Sequence, residues 1–185
     1  VRPADAWAVY LLAHGAGAGM RHPFLEALAS ALAGEGMATL RYEFPYMEAV
    51  GRRIDAKPVL ETRVREAVQV ARQEALPLFA GGKSMGGRMT SQAFANGGLD
   101  VAGIAFVGFP LHPARKPGVT RAAHLREVSV PMLFLQGTRD DLADLSLLRP
   151  VLASLPQATL HVVDDADHSF HVRKKSGRTD AEVLG

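Results

Sequence analysis

The chain has 185 residues, enough for one domain with a sizeable core, and its 48% hydrophobic and 22% charged residues exclude a chain that is mainly disordered. Formal net charge is only +2 with the basic residues scattered, so no nucleic-acid partner is expected, and the run Arg173-Lys174-Lys175 reads as solvated surface. Cysteine is absent, which excludes disulfides, thiolate metal sites and a cysteine nucleophile, and fits a reducing cytoplasm.

No apolar run approaches the roughly 18 residues of a membrane span. Val1-Arg2-Pro3-Ala4-Asp5 lacks the pattern of a signal peptide, and the missing initiator Met points to a processed or trimmed chain. Along the chain, apolar runs alternate with helical patterns, which predicts a mostly parallel sheet of about six strands flanked by helices. Residues 8–13 read as a buried strand stopped by His14-Gly15. Phe24, Leu25, Leu28 and Leu32 recur at helical spacing. A second strand is expected at 38–44 and a helix at 58–75. Pro77-Leu78-Phe79-Ala80 is a third strand running into Gly81-Gly82-Lys83-Ser84-Met85-Gly86-Gly87, with a helix from Ser84 to Asn96. Further strands are expected at 101–109, 130–136 and 159–163, with a helix at 142–155 and an irregular stretch at 110–127. Only residues 181–184 could begin a helix after His168, so the chain is expected to stop short of its natural end. No repeat or second-domain boundary interrupts residues 1–185.

Gly82-Lys83-Ser84-Met85-Gly86 carries the strongest chemical signal, a G-x-S-x-G between a strand and a helix. A serine standing clear of a sheet needs a tight, strained turn, and side chains two positions before and after it would collide across that turn. The elbow also sets Ser84 at the positive end of the following helix. A phosphate-binding P-loop is excluded, because that motif needs glycine at 77, where the chain has Pro77. His14-Gly15-Ala16-Gly17-Ala18-Gly19 follows the first strand. A dinucleotide fingerprint would need glycine where Met20 stands, so the run reads as an oxyanion loop. One amide donor would come from Met85, the other from Ala16, or from Gly17 if the loop is turned differently. Such donors are typically worth about 10²–10³ in rate.

Serine needs a base held by a third group. Asp140 follows the strand ending at Gln136, and His168 follows the last strand, in the order Ser, Asp, His. Asp141 and Asp144 are rivals placed one step further on, and Asp141 would make a helix cap. Of the other histidines, His14 is expected to shape the oxyanion loop. His22, His112, His124, His161 and His171 read as surface or packing residues. No histidine pair has metal-ligand spacing, and neither metal nor cofactor is expected.

Together with His22-Pro23-Phe24, Gly108-Phe109-Pro110-Leu111-His112-Pro113 and Gln136-Gly137-Thr138-Arg139-Asp140, these motifs resemble the α/β-hydrolase domain shared by testis-expressed protein 30 and the third subunit of the NSL histone-acetylation complex, relatives of the dienelactone hydrolases. The likeness spans about residues 9–172. It implies an α/β-hydrolase fold without a large cap domain, and supports Ser84, Asp140 and His168 as the site. Dienelactone hydrolases use a cysteine nucleophile, so that activity is not expected here. The reading is a serine hydrolase acting on small esters or thioesters, with a shallow pocket covered only by residues 111–127. A branch of the resembled family serves as a scaffold subunit, so a non-catalytic binding protein is the alternative.

Overall fold

The computed structural model describes residues 1–49 and 53–184. Six strands, β1 (Ala8–Ala13), β2 (Met37–Tyr42), β3 (Leu78–Lys83), β4 (Gly103–Val107), β5 (Met132–Gly137) and β6 (Ala158–Val163), form one sheet in the order β2-β1-β3-β4-β5-β6. Every neighbouring pair is parallel. The helices are α1 (Pro23–Gly34), the single turn α2 (Pro45–Glu48), α3 (Lys57–Ala71), α4 (Met85–Ala95), α5 (Leu145–Ala153) and α6 (Asp180–Leu184).

Alternation along β1 divides the core. Val9, Leu11 and Ala13 face α3, α4 and α5 in a cluster with Val64, Val68, Met89, Phe106, Phe134 and Leu148. Tyr10 and Leu12 face the other layer with Leu25 and Leu28 of α1. Because both faces are covered, the strands read as continuous apolar runs. Stacked Phe106 and Phe134, with ring centroids 4.2 Å apart, hold β4 to β5.

Chain direction decides where chemistry can occur. From β1 the chain moves outward to β2, then crosses back to β3 on the other side of β1. The connections leaving β1 and β3 therefore diverge, opening a crevice at their carboxyl ends. The His14–Gly19 run and the Ser84 turn both lie there.

Most strands and helices shift by a few residues at their ends from the sequence expectation, and three differences bear on the site. β3 continues through Gly81 and Gly82 instead of stopping at Ala80, because these glycines lie flush against neighbouring strands. The stretch 110–127 is partly regular, since Thr120–Glu127 winds into a 3₁₀ helix burying Ala122 and Leu125. The helix expected from Leu142 starts only at Leu145, where Asp144 caps it by accepting from the Ser146 amide. Asp144 thus takes the capping role expected of Asp141.

Candidate active site

Ser84 ends β3 with φ 51° and ψ −116°, a region that costs a non-glycine residue about 1–3 kcal/mol. Its amide donates to the Val107 carbonyl at 3.0 Å, and α4 begins at the next residue. The flanking glycines answer to a neighbour more than to each other. A Cβ on Gly82 would lie 2.3 Å from the Ala13 carbonyl oxygen, and one on Gly86 would lie 2.6 Å from that of His14. The expected collision across the turn is therefore mainly a collision with β1. The elbow is pressed against the end of that strand.

His168 Nε2 lies 2.8 Å from Ser84 Oγ, and its Nδ1 lies 2.7 Å from Asp140 Oδ2. These three side chains, drawn from the ends of β3, β5 and β6, form one hydrogen-bonded line. Asp140 is buried, and its Oδ1 accepts from the Leu142 amide at 2.8 Å. Its Oδ2 also accepts from Gln136 Nε2 at 2.5 Å. Gln136 is fully buried, and the sequence marks it only as the end of a strand. Asp141 is exposed and plays no part in this line.

His168 rides on a loop that closes on itself. Arg173 pairs with Asp165, Ala166 bridges Val172, and Asp167 Oδ1 accepts from the Ser169 and His171 amides at 2.8 and 3.0 Å. The Arg173 guanidinium holds the Asp165 carboxyl down at about 2. From the sheet side, Lys83 Nζ donates to the His168 carbonyl at 2.5 Å, between the rings of Phe24 and Phe170. Burial lowers the Lys83 ammonium to about 8, against the pull of Asp140 and Asp167.

Across the crevice, the hydroxyl of Tyr46 donates to the carbonyls of Ala16 and Gly15, at 3.1 and 3.4 Å. In trans peptides this turns the Gly17 and Ala16 amides away from Tyr46. Neither amide has a hydrogen-bond partner among the described residues. The Met85 amide, first in α4, is an orphan of the helix start. His14 is fully buried: Nδ1 lies 2.8 Å from the Gly15 carbonyl, and Nε2 accepts from the Phe44 amide at 3.0 Å. Burial lowers its pKa against the pull of Glu43, whose Oε2 lies 3.1 Å from Nε2, and the ring braces the loop from beneath.

The remaining histidines have structural partners or lie on the surface. His22 caps α1 by accepting from Phe24, and His112 accepts from the Asp144 amide at 3.0 Å. His124 lies 2.8 Å from Ser91, His171 pairs with Asp180, and His161 is exposed on β6. Among the described residues, no group of three or more His, Asp, Glu or Cys could hold a metal ion, and no helix is long and apolar enough to cross a membrane.

Two clefts meet at Ser84. One, of about 350 Å³, runs between the Gly15–Ala18 loop, Phe24 and His168. The other, of about 510 Å³, runs over α4 past Arg88 to Pro113 and Arg121. A family model described as an alpha/beta hydrolase domain matches residues 6–185. The chain belongs to the alpha/beta hydrolases. Solved structures repeat this hydrolase fold. A serine hydrolase without lid from Xanthomonas campestris is 20% identical with a TM-score of 0.74, covering 99% of this chain and 80% of its own. A dienelactone hydrolase from Anabaena variabilis is 22% identical with a TM-score of 0.75, covering 100% and 85%. Est1E from Butyrivibrio proteoclasticus, solved with ferulic acid, is 13% identical with a TM-score of 0.72, covering 100% and 90%.

Proposed function

We propose that this alpha/beta hydrolase is a serine esterase that cleaves small ester or thioester substrates through an acyl-enzyme. The observation that carries the reading is the line from Ser84 Oγ through the His168 ring to Asp140, with a strained serine opening onto two clefts. His168 Nε2 takes the hydroxyl proton as Ser84 Oγ bonds to the carbonyl carbon. Asp140, already accepting from Nδ1, stabilises the imidazolium. The amides of Met85 and Ala16 receive the oxyanion, the orphan donors of the helix start and the loop being free to do so. The imidazolium returns its proton to the departing alcohol or thiol. Water, deprotonated by the same ring, then cleaves the acyl-serine bond and restores the hydroxyl.

Within the family, we place the chain beside testis-expressed protein 30 and the NSL subunit, on the motifs around Ser84 and Asp140, as one domain over residues 1–185. A cysteine-free chain fits a cytoplasmic setting. Covalent labelling by a fluorophosphonate tests the reading. Labelling of the intact protein that disappears in Ser84→Ala and His168→Ala is expected. A folded protein that does not label overturns the reading in favour of a non-catalytic binding protein.

A further inference from the structure

The cleft over α4 contains charge that hydrolysis of a simple neutral ester does not need. Arg88 lies one turn after Ser84 on α4, a rise of about 6 Å. Its guanidinium makes no ion pair or hydrogen bond among the described residues, and its Nε is buried without a partner there. Among the described residues, Arg121, from the 3₁₀ segment opposite, has only a long 3.5 Å contact to the Pro110 carbonyl. The two cations repel, and burial together with Arg121 lowers the Arg88 pKa. Two further buried polar atoms without partners among the described residues, Gln92 Oε1 and Asp55 Oδ2, line the same cleft. Lys57 at its rim is held by Glu61 at 3.3 Å. With Asp55 as the one carboxylate among its lining residues, the cleft keeps an excess of positive charge beside Ser84.

Half-buried arginines are normally paired, because desolvating a guanidinium without an acceptor is costly. Two of them facing one cleft, neither ion-paired among the described residues, present a planar, multidentate site matched to a carboxylate. We infer that Arg88 and Arg121 form a subsite for an anionic group on the substrate, so that the esters cleaved at Ser84 carry a free carboxylate a few bonds from the scissile carbonyl. This rests on the esterase reading above and narrows its substrate class to carboxylate-bearing esters.

Paired substrates test it. p-Nitrophenyl valerate and mono-p-nitrophenyl glutarate differ by a carboxylate on the acyl side. Phenyl acetate and 4-acetoxybenzoate differ by one on the leaving side. In at least one pair the intact protein should show the higher kcat/KM for the anionic ester. Arg88→Gln and Arg121→Gln should each lower that anionic-to-neutral ratio about tenfold, the loss expected for a charge-assisted hydrogen bond. Arg88→Lys, which keeps the charge, should lose less. A ratio cancels any reduction in the folded fraction, so a poorly folding variant still reports. Equal ratios in intact protein and variants for both pairs, with Ser84 still labelled by fluorophosphonate, overturn the subsite alone. Absence of labelling in the folded intact protein overturns the esterase reading on which it rests.

Discussion

The protein contains two serine–histidine pairs at the same 2.8 Å separation, Ser84–His168 and Ser91–His124, and they differ in every other respect. Ser84 stands on a strained turn at the mouth of two clefts. Ser91 is fully buried inside α4, two turns further on. His168 has a carboxylate behind it. His124 faces Lys57 and Arg88, and burial with these cations lowers its pKa to about 4. The Ser91 hydroxyl also lies 3.0 Å from the Arg88 carbonyl, and the His124 ring also hydrogen-bonds the Arg121 backbone. His168 donates to Asp140 from Nδ1, leaving Nε2 to accept from Ser84. A hydrogen bond between these residue types therefore has no chemical meaning alone. Backbone strain, a cleft and a buried acid turn one pair into a candidate nucleophile and base, while the other pins a 3₁₀ segment to a helix.

The largest effect that could break this contrast is on labelling. Ser91→Ala should still react with a fluorophosphonate at a rate within a few-fold of the intact protein, whereas Ser84→Ala should lose roughly 10³-fold or more. Equal losses would erase the distinction. The acid side of the line is sharpened by Gln136→Leu, which removes a donor from Asp140 without touching Ser84 or His168. We expect kcat to fall about tenfold with KM nearly unchanged, as steady-state kinetics would show. Unaltered kcat would mean that the Leu142 amide alone positions the carboxylate.

The smallest effect concerns His124 and pH. Its pKa is about 4 in the folded chain and near 6.5 when unfolded, so between these values the unfolded state binds more protons. Stability should therefore rise with pH from about 4 to 6.5, and be lost progressively on acidification through that window. His124→Gln should flatten this slope in urea melts. A slope unchanged by the substitution would assign it to other groups.

Much of the architecture was legible because a parallel sheet covered on both faces leaves apolar runs separated by helical periods, and six such runs became six strands. Ser84, Asp140 and His168 could be singled out because each follows a strand at the same sheet edge. The supports could not. Gln136 reads as another strand residue, since burial opposite Asp140 depends on the path of residues 137–139. Tyr46 acts on the Gly15–Gly17 loop from thirty positions away, on a turn following β2. Arg88 and Arg121 meet only because the 3₁₀ segment folds over α4, a packing that composition does not reveal.

The bond from Lys83 to the His168 carbonyl sets the two measures of integrity against each other in alkali. The ammonium has a pKa of about 8 in the folded chain and 10.5 in the reference state, so the folded state sheds its proton first. Over that interval the unfolded chain binds more protons, and resistance to unfolding should grow as pH rises. Over the same interval the loop bearing His168 exchanges a cationic anchor for a neutral one, and Asp140 loses a nearby positive charge. Melting temperature and kcat/KM should then diverge above about pH 8, the first climbing as the second falls. In Lys83→Met neither trend should remain, which differential scanning fluorimetry beside ester kinetics across the same buffers would show. Thermal robustness and catalytic competence would thus have different optimal acidities, separated by one proton on one side chain.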